Sequence, residues 1–106
     1  MRRYRVVISP PAQDNIRDAH EWFMAENPAY AETWLAGVQE RILGLETFPE
    51  SHAVAPESDA FDCEIRQLLY GRGTPWRIFF TIDGSIVHVL HVRHGNRDYW
   101  RPLPDR

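Results

Sequence analysis

Arginine is concentrated in the C-terminal part of this 106-residue chain. Residues 65–106 hold seven arginines and three acidic residues, a balance of +4, whereas residues 1–64 hold five arginines and twelve acidic residues, a balance of −7. Arg77 lies within the apolar run WRIFF, and Arg93 ends the run HVLHVR, so both are predicted to be held on strands. A guanidinium group fixed on a strand can bind a phosphate or a carboxylate through two parallel hydrogen bonds. The C-terminal part is therefore the predicted binding surface.

The histidines of this part could in principle bind a metal, but their spacing argues against it. His88, His91 and His94 are three residues apart within one predicted strand. Because side chains alternate between the faces of a strand, His88 and His94 are predicted to share one face and His91 to lie on the other. Three ligands cannot converge from that pattern, and a single cysteine, Cys63, excludes a site of several thiolates. We therefore predict neither a metal site nor a cofactor.

The spacing of apolar residues predicts the elements that position these groups. A β-branched, alternating run over residues 3–9 predicts an opening strand. Apolar residues at helical spacing predict helices over residues 12–26 and 29–47, which an Asn-Pro pair separates. So short a connection requires the two helices to pack as an antiparallel hairpin. Residues 50–61 have no period and are predicted to form a loop.

The remaining chain predicts three strands, over residues 62–70, 75–82 and 86–93. An Asp-Gly pair between the last two is a hairpin-turn signal, and the short connections imply an antiparallel meander. The predicted fold class is α+β, in the order β, α, α, β, β, β, as a single domain over residues 1–106. We expect a twisted antiparallel sheet with the helical hairpin packed on one face. Since no apolar run approaches the roughly 18 residues of a membrane span, we expect a cytoplasmic chain with no membrane partner.

Six short sequence motifs, taken in this order of elements, resemble those of the RelE/ParE superfamily of type II toxin–antitoxin toxins, which are also called plasmid-stabilisation proteins. The N-terminal motifs are ISPPAQDNIRD, NPAYAETWL and LGLETFPE, and the C-terminal motifs are IRQLLYG, PWRIFF and VLHVRHGNRD. The resemblance covers nearly the whole chain. It implies a growth-arrest toxin in a toxin–antitoxin hetero-oligomer, where the C-terminal segment of the cognate antitoxin wraps the toxin and buries its active surface.

The resemblance implies one of two activities, because the superfamily has two branches. RelE-like members cleave messenger RNA on the ribosome, whereas ParE-like members poison DNA gyrase without nuclease chemistry. The helical hairpin here is long and acidic on its outer face, which is more similar to the ParE branch and fits poorly against RNA. We therefore expect a ParE-like toxin that binds an essential target, with gyrase as the leading candidate. The alternatives are a RelE-like, ribosome-dependent endoribonuclease and an inactive toxin fold that only binds protein.

The resemblance also assigns site residues. In a ribonuclease, the strand-borne pair falls on Glu64 and Arg66, the central arginine on Arg77 and the late arginine on Arg97. The three arginines would clamp a phosphate from one side of the sheet, with Glu64 as the base and His94 as the acid. In a binding toxin, the contacts to target or antitoxin would be Arg66, Arg77, Arg93, Arg97, Tyr99 and Trp100. Alternatively, these arginines pair with acidic residues inside the domain.

Overall fold

The computed structural model describes residues 3–73 and 75–95 as a sheet with two helices on one face. The strands are β1 (Arg5–Ile8), β2 (Arg66–Tyr70), β3 (Trp76–Asp83) and β4 (Ile86–His94). The helices are α1 (Pro10–Glu26) and α2 (Pro28–Leu43), and short 3₁₀ turns follow at Gly44–Glu46, Pro49–Ser51 and Pro56–Ala60. The described part of the chain therefore has the predicted order of elements and the α+β class. None of its helices is long and apolar enough to cross a membrane.

The sheet is mixed, with the strand order β1-β4-β3-β2. β2, β3 and β4 form the predicted antiparallel meander, and Gly84 turns between β3 and β4 with a φ of 60°. β1 instead pairs with β4 in parallel, so the expectation of a wholly antiparallel sheet is wrong for this strand. Short hairpins force antiparallel pairing only between neighbours in sequence. β1 and β4 are joined through both helices and the meander, and that long connection permits a parallel pair.

The main core lies between the two helices and one face of the sheet, here called the inner face. Its fully buried side chains come from α2 and from the meander, and they include Trp34, Val38, Leu68, Ile78, Phe80, Val87 and Val89. A smaller cluster of Ala55, Ile65 and Phe79, with Phe61 and Leu90 packed against it, lies on the opposite, outer face. The segment between α2 and β2 therefore covers part of the outer face, although the sequence predicts only a loop there.

The predicted strand over residues 62–70 begins only at Arg66. The preceding residue, Ile65, donates its N–H to the Ser58 hydroxyl at 2.9 Å and accepts from the Ala55 N–H at 2.8 Å. These contacts direct the backbone toward the covering segment and away from β3. The local pattern cannot reveal such competition, because both partners lie outside the run itself.

A β-bulge in β4 changes which histidines share a face. Phe79 lies opposite His91 and Phe80 lies opposite Val89, so that Leu90 is the extra residue on β4. The extra residue shifts the alternation of side chains between the two faces by one position, so residues before and after the bulge follow different registers. His88 and His91 therefore lie on the outer face, with His94 on the inner face. The expectation that His88 and His94 share a face is wrong, since strict alternation fails at the bulge.

Ser9 joins the start of α1 to β4, and its loss should destabilise the fold. Its hydroxyl accepts a hydrogen bond from the Ala12 N–H at 3.4 Å and donates one to the Leu90 carbonyl at 3.2 Å. We expect Ser9→Ala to lower the free energy of unfolding by about 1 kcal/mol, the usual cost of an N-cap. Urea unfolding would measure this cost, with Ser9→Thr as the control that keeps a capping hydroxyl. Equal stability of Ser9→Ala and the wild type would contradict it.

Candidate functional site

Arg77 is engaged in an internal ion pair. Its Nη1 and Nη2 atoms donate to the two carboxylate oxygens of Glu57, each at 2.6 Å. Its Nε and Nη2 atoms also donate to the side-chain oxygen of Gln67, at 3.0 and 2.7 Å. The Glu57 side chain is 1% exposed and that of Arg77 is 15% exposed. The guanidinium group therefore points into the protein toward a carboxylate, as the alternative of an internal role for these arginines predicts.

Nothing in the local sequence indicates that Glu57 is the partner of Arg77. Glu57 lies in the 3₁₀ turn Pro56–Ala60 and is the one buried charged residue among those that the structure describes. It lies 20 residues before Arg77 in an acidic stretch with no period, and no local pattern distinguishes it from its exposed neighbours. The ion pair ties the covering segment to β3, beside Phe79, whose ring centroid is 4.6 Å from the Arg77 guanidinium carbon.

Arg66 lies on the inner face of the sheet, whereas Arg77 lies on the outer face. Arg66 pairs with Phe80 of β3, so the two side chains share a face. Phe80 is three positions after Arg77, and residues an odd number of positions apart on a strand point to different faces. The Nη1 atom of Arg66 donates to the Glu50 and His52 carbonyls at 3.1 and 2.6 Å. Its Nη2 atom lies 2.9 Å from a carboxylate oxygen of Glu64. The expectation that Arg66 and Arg77 share one side of the sheet is wrong, because the register of β2 against β3 separates them.

The structure does not bring the predicted acid and base together. Glu64 precedes β2 and pairs with Arg66, whereas His94 ends β4, where its ring centroid is 5.3 Å from that of Trp76. Trp76 pairs with Tyr70 at the far end of β2. The four steps along the strand from Arg66 to Tyr70 span about 13 Å at the usual strand rise. Glu64 and His94 thus lie at opposite ends of the sheet, beyond the reach that proton transfer on one phosphodiester requires.

Arg93 differs from Arg66 and Arg77 in having no ion pair within residues 3–73 and 75–95. It lies directly opposite Arg77 on the outer face, and Glu57 engages Arg77 rather than Arg93. The Nε atom of Arg93 is buried and has no hydrogen-bond partner in the described structure. Of the remaining predicted contact residues, Arg97, Tyr99 and Trp100 lie outside the described residues.

The burial of His91, together with the nearby charge of Arg93, should make stability depend on pH. The pKa of His91 is lowered to about 4, mainly by burial and then by Arg93. The unfolded imidazole binds a proton near pH 6.5. Between these values the unfolded state holds a proton that the folded state lacks, so stability is full above about pH 6.5 and falls as the pH drops toward 4.

We expect urea midpoints to fall more steeply in the wild type than in His91→Gln, between about pH 7.5 and about pH 4.5. His52, whose pKa is also lowered by burial and by Arg41 and Arg66, is present in both proteins and cancels in the comparison. Equal slopes for the two proteins would contradict a role for His91.

A groove of about 1120 Å³ lies beside the C-terminal part of β4, beyond Val89, where the pairing with β1 ends. Its aromatic and basic lining residues include Trp22, Phe23, Tyr30, Trp76, Arg72 and Arg93, and we name it the aromatic groove. The Phe23 ring centroid lies 5.1 Å from that of Trp22, 5.0 Å from that of Tyr30 and 6.2 Å from that of Trp76. Trp22 is nevertheless 60% exposed. The groove thus combines exposed aromatic area with positive charge, as many partner-binding surfaces do.

A signal for Trp22 was present in the sequence. Helical spacing aligns Phe23 with Ala12, Ile16 and Ala19 on one face of the first helix, and it places Trp22 to the side of that apolar stripe. A tryptophan placed off the buried stripe of a helix indicates a contact surface, because exposing so large an apolar side chain to water is unfavourable.

Comparison with known proteins identifies the family. A family model described as the ParE toxin of type II toxin–antitoxin systems, parDE, matches residues 6–99. A solved structure described as the chromosomal ParDE TA system from P. aeruginosa has a TM-score of 0.69, with 14% identity over 86% of this chain and 95% of that chain. That structure shows a shared fold, and curated protein sequences give no match. Since the family model spans most of the chain, the protein belongs to the ParE toxin family of type II toxin–antitoxin systems.

Proposed function

We propose that this chain arrests growth by binding an essential cytoplasmic target, with DNA gyrase as the leading candidate, and that a cognate antitoxin neutralises it in a complex. Membership of the ParE family supports a toxin with an antitoxin partner. The Arg77–Glu57 ion pair is the observation that favours binding over catalysis. A guanidinium group that already makes two charge-assisted bonds to a buried carboxylate is poorly placed to stabilise charge that develops on a phosphate.

The positions of the other predicted catalytic residues also support a binding role. Arg66 is used on the inner face to hold the segment after α2, and Glu64 and His94 lie at opposite ends of the sheet. A ribonuclease of this kind needs a base, an acid and a phosphate clamp around one bond. The described residues do not supply that arrangement.

The surface of α1 favours a protein partner over a nucleic acid. Asp14 and Asp18 are exposed there, and the neighbouring Arg17 lies 3.1 and 3.7 Å from their carboxylates. Glu21 adds a further exposed acid on the same helix. Because phosphate binding depends on excess positive charge, an acidic helix weakens RNA binding, whereas it can complement basic residues of a protein.

The predicted contact residues take different roles in this proposal. Arg93, together with Arg97, Tyr99 and Trp100, is proposed to contact the target or the antitoxin. Arg66 and Arg77, which were also predicted contacts, would instead hold the fold that presents them.

The experiment compares three outcomes after induction of the toxin alone. We expect growth arrest, its reversal by the protein encoded in the adjacent reading frame, and inhibition of supercoiling by purified gyrase in the presence of purified toxin. Cleavage of messenger RNA on purified ribosomes, with gyrase unaffected, would replace this proposal with the RelE-like ribonuclease. An absence of growth arrest from a folded, expressed chain would indicate an inactive toxin fold that only binds protein.

A further inference from the structure

We propose that the aromatic groove recognises a peptide segment of a protein partner in which a large apolar side chain lies next to a carboxylate. The apolar side chain would pack against Trp22, Phe23 and Trp76 on the helix side of β4. The carboxylate would lie across the edge of β4, which β1 does not cover beyond Val89, and pair with Arg93 on the outer face. This inference rests on the proposed function, because the partner used to test it is the antitoxin.

The exposed ring of Trp22 provides the contact for the apolar side chain of the peptide. The Trp22 ring packs edge-on against Phe23, and Phe23 in turn contacts the buried Trp34, at a centroid distance of 5.4 Å. Trp22 thus rests on a rigid base and yet remains 60% exposed, with Tyr30 46% exposed on the other side of Phe23. A preorganised aromatic side chain loses little conformational entropy on binding, which is why tryptophan and tyrosine dominate the energetics of interfaces.

Arg93 provides the positive charge that pairs with the carboxylate of the peptide. Its Nε–H is buried and has no acceptor among the described residues, and a polar group in that state is costly to the folded protein. Because Arg93 as a residue is only half-buried, an incoming carboxylate would pair with the accessible part of its guanidinium group through a charge-assisted hydrogen bond. Arg72, which is exposed and also lines the groove, adds a second positive charge at the same site.

The groove favours a peptide over single-stranded nucleic acid, although aromatic and basic residues also occur in nucleic-acid sites. Asp18 lines the groove from α1, and it belongs to the acidic helix surface described above. A phosphate backbone would bring many charges past these acids, whereas a peptide can place one carboxylate at Arg93 and keep the rest of its contact apolar.

Backbone groups along the neighbouring edge of β4 already have hydrogen-bond partners, which favours recognition through side chains. Beyond Val89, the Leu90 carbonyl accepts from the Ser9 hydroxyl at 3.2 Å, and the Val92 N–H donates to the Asn15 side-chain oxygen at 2.9 Å. A peptide that added a strand here would have to displace both contacts. We therefore infer that a peptide binds through the aromatic and charged side chains of the groove rather than by adding a strand to β4.

The test measures the affinity of purified, full-length toxin variants for the purified antitoxin by calorimetry. We expect Trp22→Ala and Arg93→Gln each to weaken binding by about ten-fold or more, as expected for residues at the centre of an interface. Arg93→Lys should restore part of the loss because it keeps the charge. Two matched controls lie outside the groove: Phe48→Ala, which removes an aromatic ring that is also 60% exposed, and Arg5→Gln, which removes an exposed arginine on β1. Both should stay within about two-fold of the wild type.

The outcomes separate this inference from the proposed function. Wild-type affinity in Trp22→Ala and Arg93→Gln, with unchanged circular dichroism, would overturn the inference while the toxin–antitoxin pair remained intact. Losses in the control variants as large as those in the groove variants would overturn it as well. Binding of a labelled ten-nucleotide single strand that Trp22→Ala abolishes would replace the peptide with a nucleic acid. Failure of the wild type both to bind the antitoxin and to arrest growth would remove the proposed function and the inference together.

Discussion

Replacing Arg77 with methionine should lower the free energy of unfolding by about 3–5 kcal/mol, because it takes two short charge-assisted bonds away from the buried carboxylate of Glu57. The Glu57 side chain is 1% exposed and accepts two short charge-assisted bonds from Arg77, each at 2.6 Å. The guanidinium group therefore offsets much of the cost of burying this carboxylate. Denaturant unfolding monitored by tryptophan fluorescence would measure the loss. A decrease below about 1 kcal/mol would show that Glu57 does not depend on the pair.

Arg66→Met is the matched control for this substitution. Arg66 is also a strand arginine with an ion-pair partner, but that partner, Glu64, is 60% exposed. Since exposed ion pairs contribute little and Arg66 also bonds two backbone carbonyls, we expect a loss of about 1–2 kcal/mol. The contrast between the two variants isolates the effect of burying the carboxylate.

The double variant Glu57→Met with Arg77→Met decides between a structural and a catalytic role for Arg77. Removing both charges leaves no buried ion, so much of the stability lost in Arg77→Met should return. If Arg77 only supports the fold, the double variant should arrest growth as the wild type does. A stable double variant that no longer arrests growth, and that has lost ribosome-dependent cleavage present in the wild type, would restore Arg77 to the active site.

Replacing Trp34 with alanine should cost about 3–5 kcal/mol of stability, because it empties the centre of the main core. Trp34 is fully buried, and its ring centroid lies 5.1 Å from that of Trp76 and 5.4 Å from that of Phe23. These two neighbours line the aromatic groove, so the cavity would lie directly beneath it. We therefore expect Trp34→Ala also to weaken antitoxin binding, although Trp34 itself does not line the groove.

Trp34→Phe provides a graded comparison. The indole N–H of Trp34 is buried without a hydrogen-bond partner in the described structure, so phenylalanine loses volume but no hydrogen bond. We expect a cost of roughly half that of alanine or less. Trp22→Ala, at an exposed position on the neighbouring helix, should change stability by less than about 1 kcal/mol. Equal effects of alanine at the buried and the exposed tryptophan would contradict this assignment of the core.

The helical hairpin and the meander could be predicted from the sequence because their determinants are local. The spacing of apolar residues marks both helices, and Asn27 and Pro28 between them end one and begin the next. Gly84 supplies the positive φ that the turn between β3 and β4 adopts. The buried position of Trp34 follows from its place on the apolar stripe of α2. Each of these features depends on residues within a few positions of one another.

The candidate site depended on contacts that no local pattern encodes. The register of β2 against β3 sends Arg66 and Arg77 to opposite faces, and the bulge at Leu90 moves His91 onto the same face as His88. Glu57 reaches Arg77 only because the segment before β2 folds back over the sheet.

The sequence by itself therefore determined the family and the order of elements, since these follow from short motifs and local spacing. Only the tertiary structure decided which arginines are neutralised inside the fold and that Arg93 has no ion pair among the described residues. The physical reason is that an ion pair depends on distance in space and on burial, and neither can be read from separation along the chain.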